Sequence, residues 1–251
     1  MRIKIVAGFI LAALSLCGPG TAVPGPGGLL DIKAGAFVLG DNIPFFNKIA
    51  GTDDLVAVRP QNLFLLQEIT AGRKTVIVGL QDLAHARAIL TQAKNLGATT
   101  VGLSLEGNPA QPIGQDLLAK AIAFARAAKN AGFGFVLIPR PGEQGFRLQP
   151  WMRLVDAVVL PAQGIQAKDD FGQIVGGIIA RIKAAAPTVK VWVQVTVNPP
   201  RDGTLTAEAV LARIAEISSF ADGIFIAYAP KNWPTAKTVI LRLKSITAPA
   251  E

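Results

Sequence analysis

The stretches AKNLGATTVGLSLE (93–106) and AKNAGFGFVLIP (128–139) decide the fold. Each begins with a run typical of a helix end, and the run stops at a glycine, Gly97 or Gly132, which can take the positive φ of a helix C-terminus. An apolar strand pattern follows each glycine, and matched positions of the two stretches lie 35 residues apart. This equal offset indicates a repeated unit of one β-strand and one α-helix.

Short apolar segments of this kind recur along the chain, and most are followed by a helical stretch. Eight of them are predicted strands: AFVLG (36–40), NLFLL (62–66), TVIVGL (75–80), TVGLSLE (100–106), GFVLIP (134–139), DAVVLP (156–161), KVWVQVTV (190–197) and GIFIAYA (223–229). Eight parallel strands that alternate with helices close into a barrel. We therefore predict an α/β fold, a single TIM-type (β/α)8 barrel over residues 31–248.

The helices differ in how clearly the sequence marks them. Residues 41–61 contain no clean helical period, and only residues 67–74 separate the second predicted strand from the third. A parallel crossover normally takes a dozen or more residues, so degenerate first βα units are expected. Three later helices are predicted from their capping residues, and they run from Asp82 to Leu96, from Asp169 to Ala186 and from Thr206 to Ala221.

The first residues have the pattern of a secretion signal. Two cations, Arg2 and Lys4, precede an apolar run, and small residues lead to a predicted cleavage site after Ala22. Residues 1–22 are thus a predicted signal peptide, and residues 23–30 a predicted Gly/Pro-rich linker. The apolar run is shorter than the ~20 residues that span a bilayer, so we expect export to the periplasm or the medium without stable membrane insertion.

Cysteine and histidine are nearly absent from the chain. Cys17, the only cysteine, lies in the predicted signal, so disulfides and thiolate catalysis are excluded from the mature protein. A lipid anchor through Cys17 is the less favoured alternative, because Leu16 stands where a small residue normally precedes a lipid-acceptor cysteine. His85 is the only histidine and is predicted on a helix surface, so we expect no metal site and no cofactor.

The formal net charge is +8 at pH 7. The cations are scattered singly along predicted helices and form no basic run with interleaved aromatic residues. This pattern is typical of a solvated surface, so nucleic-acid binding is not expected.

Residue parity predicts which side chains meet at one end of the barrel. Alternate strand residues face the helices and the barrel interior. In residues 190–197 the valines form the outward parity, and Trp192, Gln194 and Thr196 the inward one. Binding chemistry in such barrels lies at the carboxyl ends of the strands. The polar groups predicted to bind substrate there are Gln81, Arg140, Gln163, Gln194, Asn198 and Tyr228.

Glu106 is the predicted general acid or base. It follows the fourth predicted strand at the inward parity, where partial burial of a carboxylate raises its pKa. An ion pair with Arg140 that only orients the site is the alternative. Glycoside hydrolysis normally needs a second carboxylate, and Asp41 or Glu68 could supply it only if the first two strands are placed correctly.

Three segments resemble a group of uncharacterised secreted bacterial proteins with a glycoside-hydrolase-like barrel. They are VDAVVLPAQGIQ (155–166), VWVQVTVNPPRDGTLTAE (191–208) and ADGIFIAYAP (221–230). The resemblance covers the C-terminal third to half of the chain. Carried over by position, it implies that Gln163, Gln166, Gln194 and Asn198 are site residues, and it brings no established activity.

The residues and the resemblance together predict an exported, glycoside-hydrolase-like barrel that acts on or binds a carbohydrate or cell-envelope glycan. Amide side chains favour this ligand class, because each can donate and accept hydrogen bonds with sugar hydroxyls. The alternative is a non-catalytic glycan-binding or structural envelope barrel that lacks a second catalytic carboxylate.

Overall fold

The computed structural model describes residues 32–106, 114–140, 151, 153–199 and 203–244. Eight parallel strands pair in chain order, and β8 pairs with β1, which closes the barrel. The strands are β1 (Ala34–Phe37), β2 (Leu55–Val58), β3 (Arg73–Gly79), β4 (Thr100–Ser104), β5 (Gly134–Ile138), β6 (Ala157–Pro161), β7 (Lys190–Thr196) and β8 (Gly223–Ala227). The predicted (β/α)8 barrel is therefore confirmed.

The α-helices of the described residues lie between or after these strands. They are α1 (Ile43–Ile49), α2 (Ala86–Asn95), α3 (Gln115–Asn130), α4 (Phe171–Ala185), α5 (Ala207–Ile217) and α6 (Trp233–Leu243). Short 3-10 segments cover Gly40–Asn42, Pro60–Gln67, Leu80–His85 and Pro230–Asn232. No helix in the described ranges is long and apolar enough to span a bilayer. The predicted signal peptide and most of the predicted linker lie outside the described residues.

The second predicted strand is wrong. Residues 62–66 belong to the 3-10 segment Pro60–Gln67, in which Phe64 is 61% exposed. The strand is instead the buried run Leu55–Val58. Pro60 begins the helical segment because its fixed φ suits a first turn and its missing N–H is not needed there. A short apolar run does not reveal by periodicity whether it is a strand or a helix.

The other boundaries differ less. β1 ends at Phe37 rather than at residue 40, because a 3-10 turn starts at Gly40. The six later strands agree with the prediction to within two residues at each end. Thr206 caps α5 as predicted, accepting a hydrogen bond from the Ala209 N–H at 3.2 Å. α4 is preceded by Asp170 rather than by Asp169, and that residue makes no side-chain cap.

The two parities of the strands face opposite sides of the sheet, as predicted, and each forms an apolar cluster. Val191, Val193 and Val195 pack with helix side chains in an outer cluster. Trp192 and Phe225 belong to an inner cluster that fills the barrel. Glycines make room for these rings, since a Cβ at Gly35 would lie 2.8 Å from Phe225, and one at Gly223 would lie 2.7 Å from Trp192.

Three aspartates join neighbouring strands at the amino-terminal end of the barrel. Asp54, Asp156 and Asp222 each precede an even-numbered strand and accept a hydrogen bond from an N–H of the strand before it. The donors are Ala34 N at 2.8 Å, Phe135 N at 2.6 Å and Val191 N at 2.8 Å respectively. Each aspartate also pairs with a lysine, at 2.9 Å for Lys244, 2.8 Å for Lys129 and 2.6 Å for Lys183. These hydrogen bonds and ion pairs stabilise the amino-terminal end of the barrel, which is opposite to the candidate site.

Candidate functional site

Glu106 lies two residues beyond β4, at the carboxyl end of the barrel, and its side chain is partly buried. Burial raises the pKa of this carboxyl above its usual range, although a Ser104 hydrogen bond, the charge of Arg59 and a Gln163 hydrogen bond each lower it. The Ser104 hydroxyl lies 3.3 Å from Glu106 Oε2. Because Gln163 follows β6, the site reaches across the barrel end from one strand to another two strands away.

Arg59 is the functional residue that sequence reasoning missed. It follows β2 at the parity of Leu55 and Ala57, which both belong to the inner cluster. Its guanidinium Cζ lies 4.2 Å from the centroid of the Phe37 ring, a cation–π contact. Burial lowers its pKa, while the charges of Glu106 and Asp82 raise it. Charge or hydrogen bonds link Glu106 with Arg59 and Gln163, and Arg59 with Asp82, whereas Gln194 shares the inward parity of Trp192 on β7, beside β6. We call these five residues, Arg59, Asp82, Glu106, Gln163 and Gln194, the mouth.

A sequence signal for Arg59 was present. The segment DLVAVRP (54–60) has an aspartate, four apolar residues and a following proline, and DAVVLP (156–161) has the same order. Both segments form an aspartate-led strand that ends near a proline. Comparison of the two would have placed β2 correctly and Arg59 at its inward end.

Asp82 is a second carboxylate beside Arg59. It lies in the 3-10 segment after β3, and its Oδ2 accepts the Gly79 N–H at 2.9 Å and the Gln81 side-chain amide at 3.4 Å. These bonds satisfy one oxygen and fix the turn that leaves β3. Gln81 itself is exposed, and its amide is held over Gly79.

Gln194 has an unusual position among the polar residues of the barrel. It is only 4% exposed, and within the described part of the chain its Oε1 has no hydrogen-bond partner. It pairs in register with Pro161 of β6 and Phe225 of β8. A buried acceptor without a donor is costly, so this atom marks a place where a ligand or a water molecule would be stabilised.

Two amides implied by the resemblance have structural partners. Gln166 is buried, its Nε2 donates to Thr196 O at 2.9 Å, and its Oε1 accepts from Thr196 N at 2.8 Å. Asn198 Oδ1 accepts from Thr196 Oγ1 and from Ala229 N, both at 3.3 Å. Gln166 thus fixes the loop after β6, and Asn198 ties the end of β7 to the segment after β8.

The structure does not bring Tyr228 into the mouth. Its ring packs against the outer cluster, 5.3 Å from the Trp233 ring. The hydroxyl donates to Phe37 O at 2.7 Å and accepts from Asn42 Nδ2 at 3.0 Å. Burial raises the pKa of this phenol to about 12. Tyr228 therefore joins the end of β8 to the turn after β1.

The remaining candidates are placed as follows. Arg140 follows β5 at the inward parity and is partly buried, but the cation that lowers the pKa of Glu106 is Arg59. Glu68 is exposed where the segment after β2 turns towards the start of β3, so it lies away from the carboxyl ends of the strands. Asp41 is exposed in the turn after β1, and His85 is exposed as predicted. No group of three or more metal-ligating side chains occurs within the described ranges.

A groove of about 700 Å³ opens on the outside of the barrel between α2 and α3. Apolar and cationic side chains line it, including Leu90, Phe124 and Lys120. It contains no carboxylate and lies on the helix layer, so it offers no acid–base chemistry.

No family model and no curated protein matches this chain. Solved structures do match it in shape. Tryptophan synthase from M. tuberculosis has a TM-score of 0.59 at 12% identity, over 86% of this chain and 92% of that one. HMG-CoA lyase from Brucella melitensis has a TM-score of 0.51 at 13% identity, over 86% and 96%. DHDPS from Cyanidioschyzon merolae has a TM-score of 0.50 at 12% identity, over 78% and 69%.

These likenesses show the fold alone, since the identities are low and the three enzymes differ from one another. One barrel architecture serves many chemistries, so function has to be argued from the site. The chain is a TIM barrel of the kind that several classes of enzyme share.

Proposed function

We propose that this barrel is an exported protein that binds a carbohydrate or cell-envelope glycan in the mouth and that Glu106 acts on it as a general acid. Export is proposed from the signal-like residues 1–22. Gln163 and Gln194 orient sugar hydroxyls in this proposal, with Gln81, Asn198 and Arg140 around them.

The observation that carries the proposal is the environment of Glu106. Its carboxyl is partly buried and has a raised pKa, so it holds its proton to a higher pH than an exposed glutamate does. A general acid needs this property in order to protonate a leaving-group oxygen near neutral pH. Ser104 and Gln163 hold the carboxyl in place through hydrogen bonds from two strands.

A second candidate function is glycan binding without cleavage. Asp82 is the other carboxylate of the mouth, and one of its oxygens is occupied by the Gly79 N–H. Hydrolysis with two carboxylates requires the second one to act as nucleophile or base. Its engagement in a turn favours binding over cleavage.

The test is a glycan array followed by product analysis of every glycan that binds. The wild-type protein is compared with Glu106→Gln, which removes the acid but keeps size and polarity. Glu68→Gln is the matched control, because Glu68 is exposed and lies outside the mouth. We expect Glu106→Gln to lower turnover by about 10²–10⁴-fold while glycan binding remains, and the control to equal the wild type.

Three results would overturn part or all of the proposal. Binding without product in the wild type rejects the acid role and supports the second candidate. The absence of binding to every glycan rejects both, and equal turnover in Glu106→Gln and the wild type removes Glu106 from the mechanism.

A further inference from the structure

Among the described residues, the guanidinium of Arg59 donates no hydrogen bond. In the part of the chain that the structure describes, its guanidinium contacts the Phe37 ring and interacts with Glu106 and Asp82 only through charge. Lys183, another partly buried cation, is by contrast paired with Asp222 at 2.6 Å. A guanidinium presents five donors in a planar fork that suits carboxylate and phosphate.

The aromatic contact limits where the Arg59 guanidinium can lie. Its Cζ is 4.2 Å from the centroid of the Phe37 ring, a cation–π contact that stabilises the charge. Arg59 is also preorganised, because its backbone continues β2 directly and Pro60 follows it.

The two carboxylates of the mouth act on Arg59 through charge and not through hydrogen bonds. Asp82 Oδ2 is occupied by Gly79 N at 2.9 Å, and neither Asp82 nor Glu106 forms an ion pair with Arg59 in the described residues. Glu106 is partly buried and bonded to Ser104. Within the described residues the mouth therefore has a guanidinium after β2 that donates no hydrogen bond, and an acceptor on β7, Gln194 Oε1, that receives none.

We infer that the ligand of the mouth carries an anionic group, a carboxylate or a phosphate, that binds Arg59, and a hydroxyl that donates to Gln194. This inference rests on the proposed function and names the class of carbohydrate: an acidic sugar rather than a neutral one. A ligand with both groups would use the guanidinium donors of Arg59 and the buried acceptor of Gln194.

The test is binding of three probes, glucose, glucuronate and glucose 6-phosphate, measured by ligand-observed NMR on the wild type, Arg59→Gln and Arg59→Lys. Arg87→Gln is the matched control, since Arg87 is exposed on α2 in the outer groove. We expect at least one acidic probe to bind the wild type about 10-fold or more tightly than glucose, as charge-assisted hydrogen bonds allow. Whether glucuronate or glucose 6-phosphate gains more distinguishes carboxylate from phosphate.

Arg59→Gln should remove the preference for the acidic probe over glucose, whereas Arg87→Gln should keep it. Arg59→Lys should restore part of it, because the charge remains but the fork does not. Added salt should weaken acidic binding in the wild type and leave glucose binding unaffected. Thermal unfolding of each variant verifies that it is folded.

Some results would overturn the inference. Equal binding of glucose and both acidic probes would do so while leaving the proposed function intact, and so would an acidic preference that survives in Arg59→Gln. Binding of none of the probes also overturns it, whereas the proposed function is judged separately by the glycan array.

Discussion

Glu106 illustrates how opposing effects set the properties of one residue. Burial raises its pKa, and Ser104, Arg59 and Gln163 each lower it by stabilising the charged form. The net shift is upward. Desolvation therefore has the larger effect on this pKa, and the three neighbouring groups reduce the upward shift.

The Arg59→Gln variant tests this balance without any substrate. Arg59 favours the charged form of Glu106, so its removal should raise the pKa of that carboxyl further, and the protonated acid should persist to higher pH. A ¹³C NMR titration of the Glu106 carboxyl measures the shift, with Arg87→Gln as the control. An unchanged or lower pKa in Arg59→Gln would mean that Arg59 does not act on Glu106.

Sequence reasoning identified Glu106 but not Arg59, and the reason is physical. β4 is flanked by a glycine stop and a clear alternation, so parity places Glu106 at its inward end. β2 has four residues that are all buried, so it has no alternation, and the apolar run after Pro60 resembles a strand more closely. Tyr228 was assigned to the mouth although it has the outward parity of β8, and its actual partners are backbone and helix groups.

At the scale of elements, the three aspartates at the amino-terminal end connect strands with helices. Asp54 receives N–H bonds from Ala34 and Gly51 and pairs with Lys244, which follows α6. It therefore joins the first strand to the last helix. The side chains of Asp54 and Lys244 are only 5% and 14% exposed, so their charges depend on each other.

Adjacent aspartates offer a matched pair of variants. Asp54→Ala leaves Lys244 buried without its partner and removes two backbone bonds, so we expect the free energy of unfolding to fall by about 3–5 kcal/mol. Asp53→Ala breaks ion pairs with Lys33 and Arg73 that are exposed to solvent, and we expect a loss below about 1 kcal/mol. Urea denaturation measures both, and equal losses would show that the buried pair adds nothing.

Asp222, another of these three aspartates, makes the stability of the fold depend on pH. Lys183, Lys190 and the Val191 N–H together lower the pKa of Asp222, more than its burial raises it. A lowered folded-state pKa stabilises the fold above the unfolded pKa of an aspartate, and this stability is lost as the pH falls through the folded value. Acid therefore weakens the link between β7 and β8. Glu106 has the opposite effect on stability, because its raised pKa means that the folded state becomes more stable as the pH falls and this carboxyl is protonated.

In the whole molecule, closure of the sheet places the ion-paired residues and the candidate site at opposite ends of the barrel. Paired aspartates and lysines lie at the amino ends of the strands, and Arg59, Glu106 and Gln194 lie towards the carboxyl ends. The inner cluster of Trp192 and Phe225 lies between them. The repeat and the parity were enough to predict the barrel and the inward position of Glu106, because both follow from the alternation of strand and helix, but they predicted neither the aspartate–lysine pairs nor Arg59.

A crystal structure of Glu106→Gln soaked with a glycan that the array shows to bind tests directly whether the mouth is the binding site. We expect a sugar at the carboxyl ends of β2, β4, β6 and β7, with the substituted position 106 in hydrogen-bond contact with it and Arg59 on its anionic group. A sugar bound in the groove between α2 and α3, or at the amino ends of the strands with the mouth empty, would show that the mouth is not the glycan-binding site.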